Sequence, residues 1–147
     1  MAQIDEFQFP DDLWYDRREH LWLRPEVVQG RTVVTVGVDA GGQDALGEAV
    51  YVQLPASGRQ VARHEAVGSL EAEKMVRPLL APVSGVVHEA NAAVAARPGL
   101  IGEQPYAQGW LFSIETRDWA RERAELLHGS EAVSAWIRQE LAAHGRT

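Results

Sequence analysis

A small, mainly β sandwich or barrel with helices gathered late in the chain is the fold class that this sequence predicts, on three observations. Short runs of β-branched or alternating apolar residues fill the first three quarters, turn residues punctuate them closely, and helical spacing appears only after residue 118. Thr32-Val33-Val34-Thr35-Val36-Gly37-Val38 follows a Gln29-Gly30 turn signal, and its apolarity on both faces predicts a strand buried between layers. Ala49-Val50-Tyr51-Val52-Gln53-Leu54 alternates, which places Val50, Val52 and Leu54 on one face until Pro55 withholds a backbone donor. Glu65-Ala66-Val67-Gly68-Ser69-Leu70 reads as an ascending strand and Leu79-Leu80-Ala81 as its descending partner. Trp110-Leu111-Phe112-Ser113-Ile114-Glu115 repeats the alternation, and Leu54, Val67, Val86, Trp110, Phe112 and Ile114 are expected to fill one core between two sheets. Turns are expected at Ser57-Gly58, at Pro82-Val83-Ser84-Gly85 and at Pro98-Gly99. Asp118 is positioned to cap a helix over residues 119–127, and Val133, Trp136, Ile137 and Leu141 mark one face of a second from Ser130 to Ala143. No linker sets these helices apart, so residues 1–147 read as a single domain with residues 118–143 packed onto the sandwich.

At 147 residues and 46% hydrophobic content the chain can build a real core. Twenty-one acidic against fourteen basic residues give a formal charge of −7, with no basic block to neutralise a phosphate backbone, so nucleic acid is not an expected partner. The acidic balance favours basic protein surfaces instead. Without cysteine there is no disulfide, thiolate metal site or protein-borne redox couple, and any redox chemistry has to come from an attached group. The segment Met1-Ala2-Gln3-Ile4-Asp5-Glu6 lacks a basic, apolar leader, and no run of eighteen apolar residues occurs. A cytoplasmic protein that does not enter the membrane is expected. The five histidines are scattered without metal-ligand or nucleophile–base spacing, which makes them structural or solvated residues rather than catalytic ones.

Only one of the fourteen basic residues is a lysine. Lys74 falls in Gly68-Ser69-Leu70-Glu71-Ala72-Glu73-Lys74-Met75-Val76-Arg77-Pro78, near the reversal between two predicted strands. Arginine stays protonated and acylates poorly, whereas a lysine amine can be converted into a neutral amide tether. An exposed hairpin tip suits such chemistry, because a modifying enzyme must surround the amine and an attached arm must sweep freely. Glu71 and Glu73 make that tip acidic, either as docking charges for a basic partner or as plain solvated residues.

Five separated segments resemble the H protein of the glycine cleavage system: Tyr15-Asp16-Arg17-Arg18-Glu19-His20-Leu21-Trp22, the run from Gly37 to Gly47, Gly47-Glu48-Ala49-Val50-Tyr51-Val52-Gln53-Leu54-Pro55, Ala81-Pro82-Val83-Ser84-Gly85, and Gln104-Pro105-Tyr106-Ala107-Gln108-Gly109-Trp110-Leu111. The resemblance implies a lipoyl/biotinyl-type fold, a flattened barrel-sandwich hybrid with short N-terminal and C-terminal helices added. It also implies lipoic acid attached as an amide to the lysine of a Glu-x-x-Lys segment, which puts the lipoyl-lysine at Lys74 and its recognition glutamate at Glu71. The implied role is that of a non-catalytic shuttle whose swinging arm carries a group or electrons between enzymes. A lipoate ligase or lipoyl transferase would attach the arm, and a dihydrolipoamide dehydrogenase-type enzyme would reoxidise it.

Typical members follow the lysine with small residues, in a segment resembling Glu-Ser-Val-Lys-Ala-Ala, whereas this chain has Met75, Val76, Arg77 and Pro78. With Glu73, the first three are the expected partner-recognition positions. The bulky residues and the N-terminal Phe9-Pro10-Asp11-Asp12-Leu13-Trp14-Tyr15 resemble a branch of H-like lipoate-binding proteins that serves a heterodisulfide reductase-like complex in sulfur oxidation. That branch is the favoured reading. The alternative, to which the segment from Gly47 to Pro55 points, is a glycine cleavage carrier of an aminomethyl group working with glycine decarboxylase and aminomethyltransferase. Glu71-Ala72-Glu73-Lys74-Met75 also resembles the Glu-Ala-Met-Lys-Met acceptor of biotinyl carriers, and an unmodified interaction protein would keep the fold alone.

Overall fold

The computed structural model describes residues 2–4, 7–73 and 75–143, with the backbone alone for residues 2–4 and 7. Its strands are β1 (Ala2–Ile4), β2 (Phe7–Phe9), β3 (Trp14–Asp16), β4 (Leu21–Val28), β5 (Arg31–Val38), β6 (Ala49–Gln53), β7 (Gln60–Val61), β8 (Ala66–Ala72), β9 (Met75–Leu80), β10 (Gly85–Ala90), β11 (Phe112–Thr116) and β12 (Leu127–His128). Among the described residues, five α-helices interleave with them: α1 (Ala40–Leu46), α2 (Ala92–Ala96), α3 (Leu100–Glu103), α4 (Trp119–Glu122) and α5 (Ser130–Ala143). Among the described residues, β12-β3-β4-β5-β11-β10-β7 form one sheet, β6-β8-β9 a second and β1-β2 a separate ribbon, all antiparallel. This is the mainly β sandwich expected, with helices added.

The β4–β5 hairpin shows how local sequence sets register. Val28 pairs with Arg31, and the two residues between them, Gln29 and Gly30, both have positive φ (52° and 77°), the conformation that matches a two-residue turn to the twist of its strands. Leu21 and Leu23 then face the interior between the two large sheets, while Trp22 faces the opposite side. Trp22 lies directly across from Gly37, where an added Cβ would fall 2.4 Å from the indole ring. Glycine in mid-strand is therefore a packing requirement, and the indole N–H donates to the Pro105 carbonyl at 2.8 Å.

Two hydrophobic clusters result, where one core was expected. The first lies between the large sheets and holds Val34, Val36, Val52, Val67, Leu70, Phe112 and Ile114, with Leu54 packed partly against it. The second, on the other face of the seven-stranded sheet, joins Phe9, Leu13, Tyr15 and Trp22 to Val133, Trp136, Ile137 and Leu141 of α5. All four α5 residues lie on the predicted helix face. Trp110 does not point into the first cluster; it precedes β11, is half-buried and packs against the second. Val86 is likewise half-buried, and its neighbour Val87 takes the interior place in β10.

Three further expectations are corrected. No N-terminal helix forms among the described residues, because β1 and β2 pair with each other (Ala2 with Phe9, Ile4 with Phe7). The helix expected over residues 119–127 stops after α4, tightens to a 3-10 turn at Arg123–Glu125 and gives way to β12, which completes the edge of the seven-stranded sheet against β3. Its end is held by Glu122, whose buried carboxylate accepts from the Ser84 backbone N–H (2.9 Å) and hydroxyl (2.8 Å). Asp118 makes no capping hydrogen bond, since its carboxylate accepts from Arg121 instead. In β6, finally, Val50 is 58% exposed, not interior beside Val52. Ala49 pairs with Ala72 and Tyr51 with Glu71, so Val50 is the extra residue of a bulge.

Candidate functional site at the β8–β9 hairpin

β8 and β9 form a tight hairpin in which Ala72 pairs with Met75, leaving Glu73 and Lys74 as the connection. Lys74 itself lies outside the described residues. Glu73 on one side of it is exposed, and so are Met75 (47%) and Val76 (63%) on the other. Burial alternates along the hairpin because each cross-strand row turns to one face. Val76, Glu71 and Tyr51 form a row on the outer face of the three-stranded sheet, and Arg77, Leu70 and Val52 form the next on the inner face.

The predicted recognition residues are thus separated by the fold. Glu71 and Val76 share the outer row, whereas Arg77 turns inward over α1 and the turn at residues 17–20. Burial pulls its guanidinium below the usual arginine range, against the opposing pull of the Glu19, Asp39 and Asp16 charges. Two clefts flank Met75 on this side. A smaller one of about 190 Å³ reaches Arg77, His20 and Glu19, a larger one of about 340 Å³ reaches Glu48, Val50 and Glu73, and both are walled by Ala45 and Leu46.

His20 sets the floor of the smaller cleft. Its φ of 56° is left-handed, and the turn is fixed by its backbone N–H donating to the Asp16 carbonyl and by Asp16 Oδ1 accepting from the amides of Arg18 and Glu19. Nδ1 lies 2.9 Å from buried Asp39, which also caps α1 by accepting from Gly42 N–H, and Nε2 lies 2.9 Å from Glu140 of α5. Carboxylates only accept, so this geometry calls for both ring N–H groups. Burial alone would lower the imidazole pKa, but the hydrogen bonds and charges of Asp39 and Glu140 outweigh it and the net direction is upward. The folded protein therefore holds the proton more tightly than the unfolded chain. Its contribution to stability is complete below the ordinary histidine value of about 6.5 and is lost as pH rises through the higher folded value. Thermal midpoints of the wild type should fall across that interval, and His20→Gln should remove the fall and cost about 2 kcal/mol at pH 6. An unchanged slope in the variant would show that His20 binds its proton no more tightly in the folded protein than in the unfolded chain.

The sequence places His20 in a structural role but gives no signal of Asp39 and Glu140, because the three meet only through tertiary packing. Tyr51 is missed for a related reason. Val50-Tyr51-Val52 looks like simple alternation, and nothing in it marks the bulge that leaves both Val50 and Tyr51 exposed. His64, at φ 74°, is the third residue of the Ala62-to-Glu65 turn before β8, where its N–H donates to the Ala81 carbonyl. Among the described residues no group of three or more His, Asp or Glu side chains could hold a metal ion, and no helix is long and apolar enough to cross a membrane.

The sequence model described as Glycine cleavage H-protein matches residues 13–139. The chain belongs to the glycine cleavage H-protein family. It is 42% identical over 109 residues to the glycine cleavage system H protein of Thermus thermophilus, spanning 74% of this chain and 81% of that one. It is 40% identical over 124 residues to the counterpart from Gloeobacter violaceus, spanning 84% and 92% respectively. The crystal structure of a glycine cleavage system H protein from Mycobacterium marinum superposes with a TM-score of 0.72 at 34% identity, covering 86% of this chain and 98% of that one. Members of the family are non-catalytic carrier subunits with lipoate bound covalently to a lysine. The sulfur-oxidation branch gains no support from these comparisons, which favour the glycine cleavage alternative.

Proposed function

We infer that this protein is the lipoyl carrier of a glycine cleavage system, with Lys74 as its lipoyl-lysine and an aminomethyl group as its cargo. The observation that carries the assignment is that the family's cofactor sits on a lysine, and this chain has one. The surroundings fit the group. The connection containing Lys74 is flanked by exposed residues, and the clefts on either side of Met75 have apolar walls, from Ala45 and Leu46, against which a hydrocarbon arm can rest. When attached, lipoate supplies a dithiolane that accepts a group or electrons at one enzyme and surrenders them at another. The chain's own residues anchor the arm on a rigid sheet and limit its reach, so that each docked enzyme meets it at high local concentration. Glu71 serves recognition during attachment, and the exposed Glu73, Met75 and Val76 lie where a partner enzyme approaches the lysine.

The partners in this reading are glycine decarboxylase, aminomethyltransferase and a dihydrolipoamide dehydrogenase, with the protein shuttling among them in the cytoplasm. The lipoylated protein should support glycine-dependent reduction of NAD when combined with those three enzymes and a one-carbon acceptor, whose uptake of the cargo frees the dithiol for reoxidation. Replacing Met75-Val76-Arg77 with small residues tests whether this segment restrains the exchange. If neither sequence supports turnover, while the reduced arm takes up sulfane sulfur in the presence of a heterodisulfide reductase-like complex, the cargo is sulfur and the glycine assignment fails.

A further inference from the structure

Four exposed apolar side chains gather around the lysine-bearing connection. Val76 and Tyr51 stand on one cross-strand row, 63% and 55% exposed, and Val50 and Met75 line one cleft with Glu48 and Glu73. The bulge in β6 creates much of this patch. Without the extra residue, strict alternation would turn one of Val50 and Tyr51 inward, whereas here both are exposed, Tyr51 on the row of Val76 and Val50 in the cleft beside Met75. Exposed apolar surface of this kind, rimmed by the carboxylates of Glu48, Glu71 and Glu73, is the pattern of a docking surface with an apolar centre and an acidic edge.

We propose that this collar docks the enzyme that forms the amide at Lys74, through a face with a matching apolar centre and basic rim. The inference rests on the carrier reading above. Reach decides which partner it serves. An enzyme that acylates the unmodified lysine must bring an activated carboxyl to an amine held on a four-carbon stem, so it has to touch the hairpin itself. Enzymes that act on the finished arm meet its distal end and need no such closeness. In the step served, lipoate activated by ATP as an acyl-adenylate, with pyrophosphate released, is attacked by the neutral Nζ; the C–N bond forms, the C–O bond to AMP breaks and the amine proton passes to solvent. Net negative charge on the rim favours encounter with a basic face, which makes the association sensitive to salt.

The test is steady-state acylation of the purified, unmodified protein by a lipoate–protein ligase with lipoate and ATP, followed by intact mass. Tyr51→Glu and Val76→Glu should each raise KM at least tenfold with kcat within twofold; each sets a second carboxylate across from Glu71, so the thermal midpoint falls slightly, and only slightly because both side chains are exposed. Tyr51→Phe should behave as wild type, and Glu48→Gln combined with Glu73→Gln should flatten the salt dependence of kcat/KM. KM values within twofold of wild type in both glutamate variants would overturn the proposal. So would normal acylation of these variants followed by failure of their lipoylated forms with the glycine cleavage enzymes, which would assign the collar to those partners instead. Failure of the wild-type protein to be acylated at all would sink the carrier reading rather than the collar.

Discussion

Lys74→Arg should abolish covalent modification completely, because the guanidinium that replaces the amine stays protonated and does not take an acyl group at neutral pH. Protein isolated from cells making lipoate should carry a lipoyl-sized mass increment on the peptide containing Glu71 to Arg77, and the variant should lack it. No other lysine is available to take over, so the loss extends to every transfer activity that depends on the arm. Folding should be spared. The flanking residues Glu73 and Met75 are exposed, and substitutions at such sites change stability by about 0.5 kcal/mol or less. A biotin-sized increment, or lipoate found on the α-amino group in the variant, would refute the assignment of Lys74. A large drop in thermal midpoint would instead give the lysine a structural role.

The second large effect is expected at Trp22. Its indole is fully buried in the cluster beneath α5, covers Gly37 on the neighbouring strand and donates to Pro105, so one side chain ties the seven-stranded sheet to the segment before Trp110. Trp22→Ala should destabilise by about 3–5 kcal/mol, through lost burial, the cavity left behind and a carbonyl deprived of its donor. Chemical denaturation would measure the loss as a lower midpoint at unchanged slope. A cost under 1 kcal/mol would mean that α5 and the Pro105 turn collapse into the space freely. Gly37→Ala makes an independent check, since an added methyl meets the indole at 2.4 Å and should destabilise without removing any contact.

Much of the site was legible before any coordinates. A unique lysine between two predicted strands marks a candidate acylation site by residue type alone, while Glu71 three residues before it and the Pro105-Tyr106 to Gly109-Trp110 element point to a carrier through their resemblance to glycine cleavage H proteins. Strand β5 and helix α5 were equally plain, since β-branched runs and 3.6-residue spacing reflect which faces are buried. The pathway was less so: Met75, Val76 and Arg77 suggested a sulfur-oxidising branch, whereas similarity along most of the chain favours glycine cleavage.

The remainder was decided by contacts between distant segments. Alternation in β6 predicts Val50 inward, but the pairing of Tyr51 with Glu71 inserts a bulge that no local preference encodes. Residues 119–127 have helical character, yet Glu122 is claimed by Ser84 and Leu127 by Tyr15 of β3, and these distant partners end the helix. Trp110 and Phe112 follow one alternating pattern but lie in different clusters, because Trp110 precedes the strand and α5 supplies a second apolar face behind the sheet. His20, Asp39 and Glu140 are up to 120 positions apart and share a hydrogen-bonded site only after α5 docks. Residue chemistry and periodicity are local and determined the strands, the terminal helix and the choice of the one lysine proposed as acceptor. Register, cluster membership and ion pairing depend on which surfaces meet across the folded chain, and only the tertiary structure could decide them.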